Sequence, residues 1–234
     1  MKKMFCFILL CFFVCSQNYS QKLFIAKNEQ NKYGIIDSKG IIKIEFNYNN
    51  ISLDCAYYKL TDSNNRIGLL TSKLNAILKC EYEAIKCDCS NIIVVKHNGK
   101  FGYFSNNGKM LVDFKFDDAG LFWNDSALVK NDGKLYWINQ KGNIIKSASN
   151  NDENYLNDKY SQQEEFSGIM FPDDMKEENG LNGIFVENKW IVKPIYKSIY
   201  TFGDNYYLVE KDKLYGLIDL NGNIIIPIKY IEMK

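Results

Sequence analysis

The sequence predicts an all-β protein: an array of about six three-stranded antiparallel units, stacked as an open solenoid, with a closed propeller-like ring as the alternative. Three observations carry this. Glycines recur 34 residues apart at Gly34, Gly68 and Gly102, and the period returns after an insertion at Gly183 and Gly216. A fixed period of this length marks a copied supersecondary unit. The 16 Tyr and 15 Phe, with many Ile and Val, favour strands over helices. Finally, turn residues recur at fixed offsets from each glycine.

Taking each glycine in turn, two apolar residues follow it: Ile35-Ile36, Leu69-Leu70, Tyr103-Phe104, Ile184-Phe185 and Leu217-Ile218. In the fourth copy Tyr136 stands in the glycine's place, and Trp137-Ile138 keep the register. A turn comes next. Asp37-Ser38-Lys39-Gly40, Ser105-Asn106-Asn107-Gly108, Asn139-Gln140-Lys141-Gly142 and Asp219-Leu220-Asn221-Gly222 each open on Asp, Asn or Ser and close on Gly. That is hairpin chemistry. The second copy carries Leu74 where this turn glycine belongs.

A second strand then ends on an aromatic: Tyr48, Tyr82, Phe116, Tyr196 or Tyr230. Pro194 and Pro227 lie eleven residues after their glycines, so this position belongs at a strand end or an edge, where a missing N–H costs no ladder bond. A third strand precedes the glycine at Leu23–Lys27, Tyr57–Leu60, Ile92–Lys96, Ala127–Lys130 and Tyr206–Glu210. Asn98-Gly99 and Asp132-Gly133 are two-residue hairpin signals between strands.

Two regions fall outside the repeat. Residues 1–16 read as a signal peptide: Lys2-Lys3, then an uncharged apolar run from Met4 to Val14, shorter than the ~20 residues of a membrane-spanning helix. The chain is therefore expected to be secreted or periplasmic, or lipid-anchored through Cys15. The repeat domain is expected over 22–230, with a polar insertion at 147–166. The insertion is rich in Asn, Asp and Glu and reads as a solvated surface loop.

Composition narrows the function classes. Lys+Arg number 29 and Asp+Glu 28, so the charges nearly cancel and leave no basic footprint for nucleic acid. No P-loop or dinucleotide fingerprint is present, and no transmembrane segment or cofactor is expected. His97 is the single histidine. It precedes the Asn98-Gly99 turn, where exposure is expected, and no nucleophile elbow accompanies it. The acidic group Asp173, Asp174, Glu177 and Glu178 lacks a calcium-loop pattern, and no metal site is expected.

Removal of the signal leaves Cys55, Cys80, Cys87 and Cys89, an even number in an exported chain. Cys55 and Cys89 are 34 residues apart, at equivalent points of neighbouring units, and form the candidate disulfide. Buried free thiols and a zinc site are the alternatives. Adjacent aromatics at Tyr57-Tyr58, Phe122-Trp123 and Tyr206-Tyr207 are the candidate exposed binding residues, since neighbours on a strand face opposite ways.

These motifs resemble the WG repeat family, whose unit has an aromatic-Gly pair, a strand, a D-x-x-G turn and a second strand with a Pro-x-Tyr-like ending. The matching stretches are Lys32–Gly40, Lys100–Tyr103 and Leu214–Gly222, the last continuing to Ile226-Pro227-Ile228-Lys229-Tyr230. No copy has the Trp-Gly pair itself; the copies are degenerate. The resemblance implies an extracytoplasmic or surface repeat module with a binding role, and it carries over no catalytic residue. The expected function is therefore non-enzymatic: an extended surface for a protein or cell-envelope partner such as a glycan. A glycan hydrolase using carboxylates such as Asp118 or Glu165, and a structural spacer, are the alternatives.

Overall fold

The computed structural model describes residues 22–87, 91–123, 125–156 and 170–234. The signal peptide with Cys15, as well as Cys89 and Glu165, lies outside them.

Among the described residues six antiparallel sheets follow one another along the chain. The first holds Leu23–Lys27, Tyr33–Asp37 and Ile42–Tyr48, and the second Asn50–Asp54, Tyr57–Thr61, Ile67–Thr71 and Ala76–Tyr82. The third holds Ala84–Lys86, Ile92–His97, Lys100–Ser105 and Met110–Phe116. The fourth holds Asp118–Ala119, Ser126–Asn131, Lys134–Asn139 and Ile144–Ser147. The fifth holds Met175–Glu178, Leu181–Val186 and Lys189–Tyr196, and the sixth Ser198–Phe202, Tyr206–Lys211, Leu214–Asp219 and Ile224–Tyr230.

The expected three strands per unit are present, and a fourth joins them in every sheet but the fifth. This extra strand follows directly on the last strand of the preceding sheet. Between Tyr48 and Asn50 only Asn49 intervenes, so one extended run bends and changes sheet. The first sheet receives its extra strand from the other end of the chain: Glu232–Met233 pairs antiparallel with Ala26 and Lys27. Ile25 and Lys234 exchange backbone hydrogen bonds of 2.8 and 2.9 Å. A seam of this kind belongs to the ring alternative, because it joins the first and last units.

The repeating glycine has a packing role beyond its place in the sequence. It is the second or third residue of its strand, and the neighbouring strand bulges opposite it. Tyr33 pairs with Tyr48 and Ile35 with Ile44, leaving Gly34 facing the irregular stretch. A Cβ on Gly34 would stand 2.7 Å from the Ile44 carbonyl oxygen and 2.9 Å from the Phe46 ring. Gly102 faces the Val112 carbonyl in the same way. In the fourth sheet Tyr136 pairs directly with Ser147 and Trp137 with Lys146. The bulge opposite the glycine position is missing there, the strand stops at Ser147, and the insertion begins.

In four of the six sheets the turn glycine sits against the sheet before it. Gly108 sits beside Ile77, Gly142 beside Val112 and Gly222 beside Val192, in each case on the last strand of the preceding sheet. Gly40 lies beside Pro227 and repeats the contact across the seam. Core clusters follow the same order. They join sheets one and two, two and three, three and four, five and six, and six and one. Among the described residues no core cluster joins the fourth sheet to the fifth.

Candidate functional site

The junction between the fourth and fifth sheets is where the repeat's own packing rule fails. The residue after the repeating glycine is the one that meets the next sheet. Ile35, Leu69, Tyr103, Ile184 and Leu217 are 0–2 % exposed at this position. Each belongs to a cluster shared with the following sheet. Trp137, the sixth member, is only half-buried and packs with Leu128, Leu135, Ala148 and Leu156. The first half of the insertion has taken the place of the next sheet.

The insertion is built for this docking. Asn150–Tyr155 forms a 3-10 helix after Ser149, whose N–H and hydroxyl both donate to Asp152 Oδ2, at 2.9 and 3.1 Å. The Asp152 carboxyl is held below its ordinary value by these bonds, by Lys146 and by the Trp137 side chain. Leu156 is 3 % exposed, and the Tyr155 ring meets Trp137 edge-on at 5.3 Å. Lys86, from the third sheet, donates to the Leu156 carbonyl at 2.9 Å and to the Ala119 carbonyl at 3.2 Å. The expectation of a solvated loop is corrected at Leu156, which is buried, while Ser149, Glu153 and Tyr155 are exposed as expected. The polar composition hid one leucine and one tyrosine that find a ready apolar face.

On the other side, the residue two after the glycine meets the preceding sheet. Ile36, Phe104, Ile138 and Ile218 are buried there, and Leu70 is half-buried against the cluster its sheet shares with the first. Phe185 is half-buried, lies 4.9 Å from the Trp190 ring, and carries the Lys176 ammonium 4.0 Å from its centre. Neither aromatic belongs to a core cluster of the described residues.

The fifth sheet also lacks its first strand among the described residues. In the other five sheets one carbonyl accepts a hydrogen bond from the chain entering that strand. Lys27 accepts from Ile231, Thr61 from Asn49, Lys96 from Glu83, Lys130 from Asp117 and Glu210 from Lys197, at 2.7–2.9 Å. The equivalent residue of the fifth sheet is Glu177, which pairs with Asn182 on its inner side. Its outer side faces no strand of the described residues.

The sequence-derived candidates fall elsewhere. Trp123 is exposed, at 57 %. Tyr58 is buried, at 6 %, and packs with Ile35 and Ile51, so its place among exposed aromatics is corrected: both faces of the second sheet are covered. Tyr57 and Tyr207 are half-buried against core clusters, and burial pushes the Tyr207 hydroxyl above its ordinary value. Phe122 stacks edge-on against Tyr103 at 5.0 Å, and Tyr206 is half-buried beneath the Lys22 ammonium. His97 is half-buried between Tyr82 and Phe114, at 5.6 and 5.3 Å, not on the surface. Cys55 stands exposed in a turn at φ 54°, and its proposed partner Cys89 is outside the described residues. Cys80 fills the space over Gly68, and burial raises its thiol. Asp118 faces Lys86 at 3.7 Å. No group of His, Cys, Asp and Glu suited to a metal occurs among the described residues.

A six-unit array of small antiparallel sheets, with the chain ends paired in one sheet, defines a β-repeat protein of propeller-like build. The WG containing repeat model matches it at three places, residues 101–134, 187–215 and 215–233. No curated protein matches the chain in sequence. Among solved structures, BamB from Moraxella catarrhalis aligns with 8 % identity and a TM-score of 0.33, over 90 % of this chain and 72 % of that one. A eukaryotic initiation factor aligns with 8 % identity and a TM-score of 0.38, over 89 % and 62 %. A computationally designed protein aligns with 10 % identity and a TM-score of 0.30, over 91 % and 74 %. Likenesses at these scores carry no functional argument.

Proposed function

We propose that this chain is an exported, non-enzymatic binding protein whose contact region is the junction of the fourth and fifth sheets. One observation carries the reading. Every other junction closes into a core cluster, whereas this one leaves Phe185 and Trp190 half-exposed beside a strand edge that no strand of the described residues pairs with. Aromatics fixed edge to face offer large contact area at low entropic cost, the composition that dominates protein contact surfaces. Export is supported by the apolar run from Met4 to Val14. The partner is a protein or glycan of the cell envelope.

The test is retention of envelope components on the immobilised chain beginning at Gln17, compared with a Phe185→Ser/Trp190→Ser variant. A partner retained by the first and lost by the second supports the reading. Equal retention by both places the contact region elsewhere. Cleavage of envelope polysaccharide that disappears in Asp118→Asn would favour the hydrolase instead.

A further inference from the structure

Resting on the reading above, we propose that the edge strand Met175–Glu178 binds its partner by strand addition, and that the partner segment is extended and basic. The fifth sheet has second, third and fourth strands in the register of the other five sheets, and its first position is open among the described residues. The hydrogen-bonding sense of the edge is fixed. The Phe185 N–H donates to the Asp174 carbonyl at 2.9 Å, so Asp174, Lys176 and Glu178 bond inward. Alternation then turns the Met175 carbonyl and both backbone groups of Glu177 outward. The Met175 N–H is taken by the Pro172 carbonyl at 3.1 Å. In the first sheet the residues equivalent to Met175 and Glu177 are Ile25 and Lys27, and both bond the chain's own C-terminal strand. The fifth sheet presents the same acceptors with no such strand among the described residues.

Charge selects the partner. The edge carries Asp173, Asp174, Glu177 and Glu178 against one lysine, and that lysine, Lys176, lies over the Phe185 ring. Glu177 and Glu178 lie on opposite faces of this strand, so Lys or Arg at alternate positions of an entering strand meet a carboxylate on whichever face they take. Backbone pairing supplies affinity in such a mode, and the flanking side chains supply discrimination.

The experiment uses the chain from Gln17 to Lys234 and a synthetic hexapeptide alternating Lys and Val, with capped ends. Three controls accompany it: the same peptide with Glu for Lys, the same peptide with its central amides N-methylated, and the Asp174→Lys/Glu177→Lys variant. The Lys peptide is expected to bind, to slow exchange of the Glu177 amide at least tenfold, and to lose at least tenfold in affinity with each control. Equal binding of the Lys and Glu peptides, or binding that leaves the Glu177 amide exchanging as before, overturns the proposal. So does a Glu177 amide already protected in the free chain and released when residues 158–168 are deleted, because the occupant is then the chain itself. Failure of the peptide leaves the envelope-retention result standing, so the two readings fail separately.

Discussion

Tyr33 and Glu232 are 199 residues apart in sequence, and the Tyr33 hydroxyl donates to Glu232 Oε2 at 2.8 Å. The bond crosses the seam where the C-terminal strand completes the first sheet. Burial, with the Glu232 carboxylate beside it, pushes the Tyr33 pKa up to about 12. The neutral phenol is thus favoured in the folded chain. Its contribution is complete below the unfolded value near 10 and is lost as pH rises through about 12. Chemical denaturation between pH 9 and 12 should show a steeper fall for the natural chain than for Tyr33→Phe. Parallel curves would mean that the seam does not feel this hydroxyl.

The seam also depends on Met233, which is 7 % exposed among Phe24, Leu208 and Leu217. Met233→Ala should cost about 2–4 kcal/mol in urea unfolding, the range for removing a buried large side chain. A loss below about 0.5 kcal/mol, typical of surface changes, would indicate a frayed C-terminus.

The turn aspartates give an acid-side prediction. Asp37 is fully buried; its Oδ1 accepts the Lys39 and Ile41 N–H groups at 2.9 and 3.0 Å, and its Oδ2 lies 3.0 Å from Lys43 Nζ. Burial alone would raise its pKa, but the Lys43 ammonium and the two amides outweigh it, and the net direction is down. Asp37 therefore stabilises the fold above the ordinary carboxylate pKa, and that stabilisation disappears as pH falls through its lower folded value. Asp37→Ala should lose about 1–3 kcal/mol at pH 7. The deficit against the natural chain should shrink towards pH 2. A deficit independent of pH would assign the effect to packing alone.

Gly102 and Gly99 separate two uses of glycine. A Cβ at 102 would stand 2.7 Å from the Val112 carbonyl oxygen, which belongs to backbone and cannot swing aside. Gly102→Ala should cost about 2–3 kcal/mol through overpacking. Gly99 has nothing within 4 Å and needs only its φ of +77°, so Gly99→Ala should cost about 1 kcal/mol. Reversed magnitudes in urea titrations would contradict the bulge as the reason for the period.

Much of this architecture was legible in the sequence because the period records contacts that every unit repeats. Gly34, Gly102 and Gly216 are each forced by the same bulge, and Asp37 and Asp219 cap the same turn. The short extra strand was not legible. Asn50–Asp54 and its equivalents continue an existing strand past a one-residue bend, so no turn residue announces them. The site was hidden for a related reason. Phe185 and Trp190 look like ordinary core residues in their unit, but among the described residues no core cluster joins their sheet to the fourth, and they are left half-exposed. The signal was present in Tyr136, which replaces the repeating glycine in the unit that loses its bulge. Leu156 is hidden by the composition around it, because a polar segment needs only one apolar residue to dock.

The central claim is that the chain ends meet at a paired seam while the packing break lies between the fourth and fifth sheets. A circular permutant tests this most directly. Lys234 is joined to Lys22 by a linker of about six residues, ample for ends that already pair, and new termini are opened between residues 160 and 165. The account predicts a cooperative fold with a urea midpoint equal to or above that of the natural order, and a second permutant opened at Asn98-Gly99 that is clearly less stable. A permutant opened at 160–165 that fails to fold, or that is no more stable than the one opened at Asn98-Gly99, would contradict it.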